Sequence, residues 1–286
     1  VSNDTSSETE AKSASSRDSL KNTFFTAFLL CLVCSVLVSG MAVVLKPIQV
    51  ENKLLDQKKN ILRAAGMLPA NSDRAADGRS IDDLFAEFTV KAVDLETGEF
   101  VEGIDLDIYD PVKAAQKADL SRALSAEEDI ATLRRLEKIS LVYLVQGEAG
   151  IEKLVLPVRG YGLWGTLYGY LALDSDLTTI TGLGFYSHKE TPGLGGEVDN
   201  VAWKASWSGV KAFTEQRTPG VKLVKQRSPA GSMNADYEVD ALSGATFTTR
   251  GVENLVNFWT GDLGFGRFIQ LQSQEQKQQQ NTLAQG

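Results

Sequence analysis

The stretch DALSGATFTTRGVENLVNFW, residues 240–259, joins a cluster of small and hydroxylic residues to an apolar helical pattern. Val252, Leu255, Val256 and Trp259 recur three or four residues apart, the spacing of one helix face. Ahead of them Ser243, Thr246, Thr248 and Thr249 crowd around Gly244 and Ala245. A helix start needs a single side-chain cap, so most of these hydroxyls are surplus. Two readings accommodate them. One is over-provided capping; the other is an anion cradle, in which free N–H groups and the macrodipole favour a phosphate. In the cradle reading Gly244 and Ala245 leave room for the ligand, and Ser243, Thr248 and Thr249 offer hydroxyl donors. Asp240 complicates that reading, because its carboxylate repels a phosphate unless a cation or a transient partner uses it.

Working outward, the centre of the chain is β-rich. LVLPVRG, LWGTLYGYLALD and LTTITGLGFYSH are β-branched and aromatic runs separated by Gly and Asp turns. Upstream, FTVKAVDL and KISLVYLVQ read as strands flanking a charged helix near 124–137. Downstream, a helix is expected with Trp203, Trp207, Val210 and Phe213 on one face, then short strands at 222–226 and 235–240. Residues 85–268 thus read as one α+β domain with a twisted, mostly antiparallel sheet and flanking helices. The loop ETPGLGGEV, residues 190–198, is either a plain glycine-rich connection or a place where a ligand approaches the main chain closely. It does not follow the G-x-G-x-x-G pattern of a dinucleotide fold, and GLGFYS at 182–187 lies inside a strand run rather than opening a helix.

Toward the N-terminus, Asn22 to Leu45 runs for 24 residues without a charge, and about 20 apolar residues suffice for a transmembrane helix. A cleaved signal is the competing reading, with Lys21 ahead of the apolar run and Val38-Ser39-Gly40 as a cleavage site, but the run continues to Leu45. The span is therefore placed at 22–45. Residues 1–21 form a polar tail expected to be disordered, and 46–84 a stalk helix and linker. The stalk is amphipathic through Val50, Leu54, Ile61 and Leu62, with Gly66 as its stop. Residues 269–286 read as a glutamine-rich disordered tail. Lysines and arginines beyond the span outnumber those before it, which points the large domain toward the cytoplasm, although long domains translocate largely regardless of charge.

Composition removes several classes of function. A net charge of −8 with scattered Lys and Arg excludes a nucleic-acid footprint. One histidine and two cysteines exclude a multi-His metal site, and no nucleophile motif lies near His188. No metal site and no catalytic residue are expected. Cys31 and Cys34 read as apolar helix residues, with a site shared with a partner subunit as the alternative. His188 reads as a polar loop residue.

Asp240-Ala-Leu-Ser-Gly-Ala-Thr246 resembles the D-x-x-S-G-A-T signature of proteins that carry FMN on a threonine through a phosphoester bond. LYGYLALDSDLTTITGLGFYSHKETPGLGGEVDN, Trp203 and RGVENLVNFWTGDLGFG resemble the C-subunit family of sodium-translocating NADH:quinone oxidoreductases over residues 24 to 268. The G-subunit of a related electron-transport complex shares SGAT and the ETPGLG loop, and a non-redox membrane-anchored scaffold is the rival from another class. The resemblance implies covalent FMN on Thr246, attached by a flavin transferase that uses FAD and recognises Asp240. It leaves Ser243 and Thr248 to cap the helix and bind the phosphate, with Gly244 and Ala245 keeping the flavin close to the backbone. Glu190, Thr191, Gly193 and Leu194 would lie against the ring, with Trp164 or Tyr168 as shields. It further implies an electron carrier within a multi-subunit complex that couples NADH oxidation by quinone to sodium export. The chain would be anchored in the bilayer of the bacterial inner membrane, with the flavin domain on the periplasmic side.

Overall fold

The computed structural model describes residues 20–69, 72–147 and 150–283. Of the polar leader expected to be disordered over 1–21, residues 1–19 lie outside the described residues, and Leu20 and Lys21 instead open the first helix. The chain divides into two compact units, Val1–Leu54 and Leu55–Gly286. The first described element is helix α1 (Leu20–Ala64), which contains Pro47. The span and the stalk, expected as separate helices, are therefore one. Pro47 removes a single hydrogen bond from the helix interior, and the helix-forming sequence on either side continues through it. The uncharged stretch covers about 36 Å at 1.5 Å per residue, against a hydrocarbon core of about 30 Å. It is long and apolar enough to cross a membrane, and none of it is buried. The helix stops where expected: Gly66 adopts a φ of 71°, and the N–H groups of Gly66 and Met67 bond the carbonyls of Arg63 and Leu62 at 3.1 and 2.9 Å.

In chain order the strands are β1 (Phe88–Asp94), β2 (Phe100–Val101), β3 (Ser121–Ala123), β4 (Arg135–Glu137), β5 (Ile139–Gly147), β6 (Gly150–Tyr161), β7 (Thr166–Asp174), β8 (Ile180–Ser187), β9 (Lys222–Val224) and β10 (Glu238–Asp240). The helices after α1 are α2 (Ile81–Phe85), α3 (Pro111–Ala115), α4 (Val201–Ala205), α5 (Thr246–Thr260) and α6 (Gly266–Leu283). Among the described residues one six-stranded sheet dominates, in the order β2-β1-β5-β6-β7-β8, and its pairings are antiparallel. Strands β9 and β10 form a separate parallel pair.

Both faces of the large sheet are covered. Val142, Leu144, Leu154, Leu156, Leu171 and Leu173 point to one side, against Val252, Leu255, Val256 and Trp259 of α5, Phe265 just ahead of α6, and Phe268 and Ile269 within it. Their alternates Tyr143, Val145, Val155, Tyr170 and Ala172 meet Ile61, Leu62, Ile81 and Leu84 on the other. Antiparallel sheets often leave one face to water; here the domain uses the last turns of α1 as its second layer. Gly182 permits the close approach, since a Cβ there would stand 2.5 Å from the Ala64 carbonyl oxygen.

Three segments differ from the sequence expectation. No helix spans 124–137: the carboxylate of Asp129 accepts the N–H groups of Leu133 and Arg134 at 2.6 and 2.7 Å. Thr132 and Arg134 adopt positive φ, so the segment closes as a loop between β3 and β4. The tryptophan helix ends at Ala205, and Val210 and Phe213 are buried from loop positions. There the chain leaves the helix to bond the edge strand, Ile180 N–H donating to the Val210 carbonyl at 2.8 Å. The glutamine-rich tail is helical through Leu283. Phe268, Ile269 and Ser273 are buried and supply the tertiary packing that composition alone does not reveal, while glutamine is a good helix former.

Candidate functional site

Three segments meet at one end of the sheet. The first is the turn between β6 and β7. Tyr161 pairs with Thr166 and the Gly162 N–H bonds the Gly165 carbonyl at 2.9 Å, so Leu163 and Trp164 form a hairpin tip rather than the start of a strand. The second is the glycine-rich loop. The Leu194 N–H donates to the Thr191 carbonyl at 3.1 Å, and Gly193 sits at φ 76°. Pro second and Gly third is the sequence a type II turn requires. A 3-10 turn, Gly195–Asp199, follows, and the Asn200 side chain caps α4 by accepting from Ala202 and Trp203 N–H. The third is the segment from β10 into α5. The Trp203 indole N–H holds the Asp240 carbonyl at 2.8 Å, and Gly244 turns the chain at φ 71°.

Glu190 ties the three together. Its buried carboxylate accepts the N–H groups of Leu163 and Trp164 on Oε1, each at 3.0 Å. Oε2 accepts the Thr248 hydroxyl at 2.6 Å. Gly195 lies over this junction, and a Cβ there would stand 2.5 Å from Thr248 Oγ1 and 2.6 Å from Glu190 Oε2. The sequence reading of this loop, a plain connection or a place of ligand approach, did not include this requirement: the junction leaves no room for a side chain at Gly195.

His188 steadies the loop from the other side. Its Nδ1 accepts the Glu190 N–H at 3.2 Å, which puts the ring proton on Nε2, 2.7 Å from Asp199 Oδ2. Burial opposes ionisation of Asp199, but the His188 hydrogen bond and the Lys204 ammonium outweigh it and hold the carboxyl below its usual range.

The hydroxyls of the opening stretch divide by direction. Thr248 and Thr249 are buried. Thr248 donates to Glu190, and Thr249 Oγ1 accepts the Leu242 N–H at 3.1 Å. Ser243 and Thr246 are exposed, as are Asp240 and Gly244, whereas Ala245 is buried. The expected side-chain cap is not made by Ser243 or Thr248: α5 begins after Ala245 with no side chain on its N-terminal N–H groups. Thr246, the first helical residue, is thus an exposed threonine at an uncapped helix start. Thr191, Gly193 and Leu194 line the neighbouring exposed loop, with Leu194 Cδ2 3.2 Å from where a Cβ of Gly244 would be. Around this surface Leu163, Trp164, Leu194 and Phe247 are 43 to 66 % exposed. Tyr168 instead packs on Tyr186, ring centroids 6.2 Å apart. Among the described residues no group of three or more His, Cys, Asp or Glu is placed to hold a metal.

Residues 162–261 match the FMN-binding domain family, an interval that runs from the hairpin tip to the end of α5. The chain is 47 % identical over 254 residues to the C-subunit of the Na(+)-translocating NADH-quinone reductase of Pseudomonas aeruginosa, covering 88 % of this chain and 96 % of that protein. The Vibrio alginolyticus protein of the same description is 41 % identical, with 90 % and 96 % covered. The crystal structure of Shewanella oneidensis NqrC superimposes with a TM-score of 0.68 at 30 % identity, over 78 % of this chain and 99 % of that one. With this degree of identity along nearly the whole length of its relatives, the chain belongs to the C-subunit family of the Na(+)-translocating NADH-quinone reductases, an oxidoreductase complex, and carries that family's FMN-binding domain.

Proposed function

We propose that this chain is a membrane-anchored flavoprotein subunit that relays electrons through an FMN joined by a phosphoester to Thr246. The observation that carries the reading is Thr246, an exposed threonine at the uncapped start of a 15-residue helix. The residues present fit the group. Free N–H groups at a helix start favour a phosphate, Ser243 adds an exposed hydroxyl, and Gly244 removes the side chain where the chain turns. Leu163, Trp164, Leu194 and Phe247 offer apolar surface to an aromatic ring, and the Thr191–Leu194 turn supplies exposed main chain beside it. FMN, when bound, supplies reversible one- and two-electron chemistry. The chain supplies attachment, orientation and a fixed scaffold.

On this reading the apolar part of α1 anchors the chain in the bacterial inner membrane, with the flavin domain on the periplasmic side. The other subunits of the complex provide NADH oxidation, quinone reduction and sodium transport. A flavin transferase using FAD installs the cofactor, and Asp240, exposed three residues before Ser243, serves its recognition. The test is intact-mass and peptide-mass analysis of the chain after co-expression with such a transferase. Wild-type protein gains one FMN on the peptide containing Thr246, and Thr246→Ala gains none. FMN mapped to Thr248 or Thr249 instead would refute the assignment.

A further inference from the structure

We infer that Glu190 and Thr248 are positioning residues for the modification of Thr246: a buried bracket that sets the acceptor hydroxyl from beneath without touching the flavin. The inference rests on the attachment reading above and gives these two residues a different role from that of cofactor ligands. A threonine hydroxyl has one proton to give, and that of Thr248 goes to Glu190 Oε2 at 2.6 Å. It has none left for a phosphate. Glu190 is itself fully engaged, since three donors from two segments converge on its two oxygens. An ionised carboxylate accepts at both oxygens, whereas a glutamine would present its NH2 to at least one of those donors. Gly195 lies over the junction, where a Cβ would stand 2.5 Å from Thr248 Oγ1, so no side chain at that position could take the missing partner's place.

Two consecutive inward hydroxyls therefore fix the first turn of α5. Thr248 ties it to the hairpin tip through Glu190, and Thr249 ties it to Leu242 just ahead of the SGAT turn. With 248 and 249 turned inward, the helix phase sends Thr246 outward. In the transfer, the bond from Thr246 Oγ1 to phosphorus forms and the pyrophosphate P–O bond of FAD breaks. AMP leaves, and the hydroxyl proton passes to solvent or to a base of the transferase. A clamped acceptor needs no reorganisation at that moment, and a displacement of about 1 Å can cost on the order of a hundredfold in rate.

The experiment measures labelling rates of the full chain with a flavin transferase and FAD, read by flavin fluorescence of the denatured protein and by intact mass. Thr248→Val keeps shape and loses the proton; Thr248→Ser keeps the hydroxyl. Thr260→Val is the stability control, because Thr260 is buried on the same helix and bonds only its own helix, Oγ1 to the Val256 carbonyl at 2.8 Å. We expect Thr248→Val to lower kcat for labelling about tenfold or more, with KM for FAD unchanged and Thr248→Ser near wild type. Thr260→Val should lose melting temperature without that loss of rate. Glu190→Gln should fall as far as Thr248→Val, and the double variant little further. Wild-type labelling of Thr248→Val, or equal loss in Thr260→Val at matched melting temperature, overturns the bracket. Persistent labelling of Thr246→Ala would instead overturn the attachment reading.

Discussion

Replacing Arg159 by methionine should destabilise the domain more than any loss of packing volume explains. The guanidinium donates to both oxygens of Glu137, Nη1 to Oε1 at 2.8 Å and Nη2 to Oε2. The Glu137 side chain is fully buried and that of Arg159 only 10 % exposed. Burial works against the Arg159 charge, yet the field of Glu137 wins and raises its pKa above the ordinary value. Without Arg159, Glu137 keeps one long contact, from the Ser140 hydroxyl at 3.4 Å. Removing one partner of a buried pair costs about 3–5 kcal/mol. At roughly 2–4 °C per kcal/mol for a unit of this size, the melting temperature should fall by roughly 6–20 °C. The indole N–H of Trp259 bonds the Arg159 backbone carbonyl at 2.7 Å, and that bond survives the substitution. The assay is thermal unfolding of the full chain in detergent, followed by near-ultraviolet circular dichroism, beside the double variant Arg159→Met with Glu137→Leu. The double variant should recover most of the loss, because no charge is left stranded. A single variant within about 3 °C of wild type, or a double variant worse than the single, would refute the reasoning.

Gly251→Ala sets two effects against each other. In an open helix the change is worth up to about 1 kcal/mol of stabilisation, but here a Cβ would stand 2.4 Å from the Tyr161 carbonyl oxygen. Overpacking against backbone costs about 1–3 kcal/mol, so the melting temperature should drop; a rise would show that α5 shifts freely on β6. Alkaline pH should unfold the domain through its tyrosines. Partial burial, then the neighbouring phenols, raises Tyr186 to about 12, and full burial raises Tyr143 and Tyr170. A phenol with a raised folded pKa contributes stability that is full below the unfolded value, about 10, and is lost as pH rises through the folded one. Loss of structure should therefore fall between about pH 10 and about 12, cooperatively with phenolate absorbance. Free titration of these tyrosines near 10 with the fold intact would contradict it.

The sheet was legible because its strands are β-branched and aromatic runs bounded by Gly and Asp, and the stop at Gly66 because the helical pattern ends there. Residues 124–137 were not, because their charged composition suits a helix while the Asp129 carboxylate pulls the backbone into a loop. The inward turn of Thr248 and Thr249 was available but unused. Counting back from Trp259, Val256, Leu255 and Val252 by the helix period leads to those two threonines and not to Thr246. The hairpin tip could not be read, since Leu163 and Trp164 continue an apolar run and act through their N–H groups, which carry no sequence signature. Glu190 has the same difficulty. Nothing in a loop glutamate announces that two N–H groups and a hydroxyl from distant segments will converge on it.

Helix α6 also gives the domain a schedule. Phe268 lies edge-on against Phe100, ring centroids 5.3 Å apart, and Arg267 donates to the Glu96 carbonyl across 171 positions of sequence. Gln276 reaches the Ile151 carbonyl at 3.0 Å. The edge of the sheet synthesised first is thus closed by residues synthesised last. At about 5–20 residues per second, roughly 10–30 seconds separate the emergence of the two halves of that contact. Through this interval the Phe100 edge and the sheet face that receives Phe265, Phe268 and Ile269 stay uncovered, a surface for holding factors or for misassociation. The glutamine-rich segment is the clasp that ends the exposure.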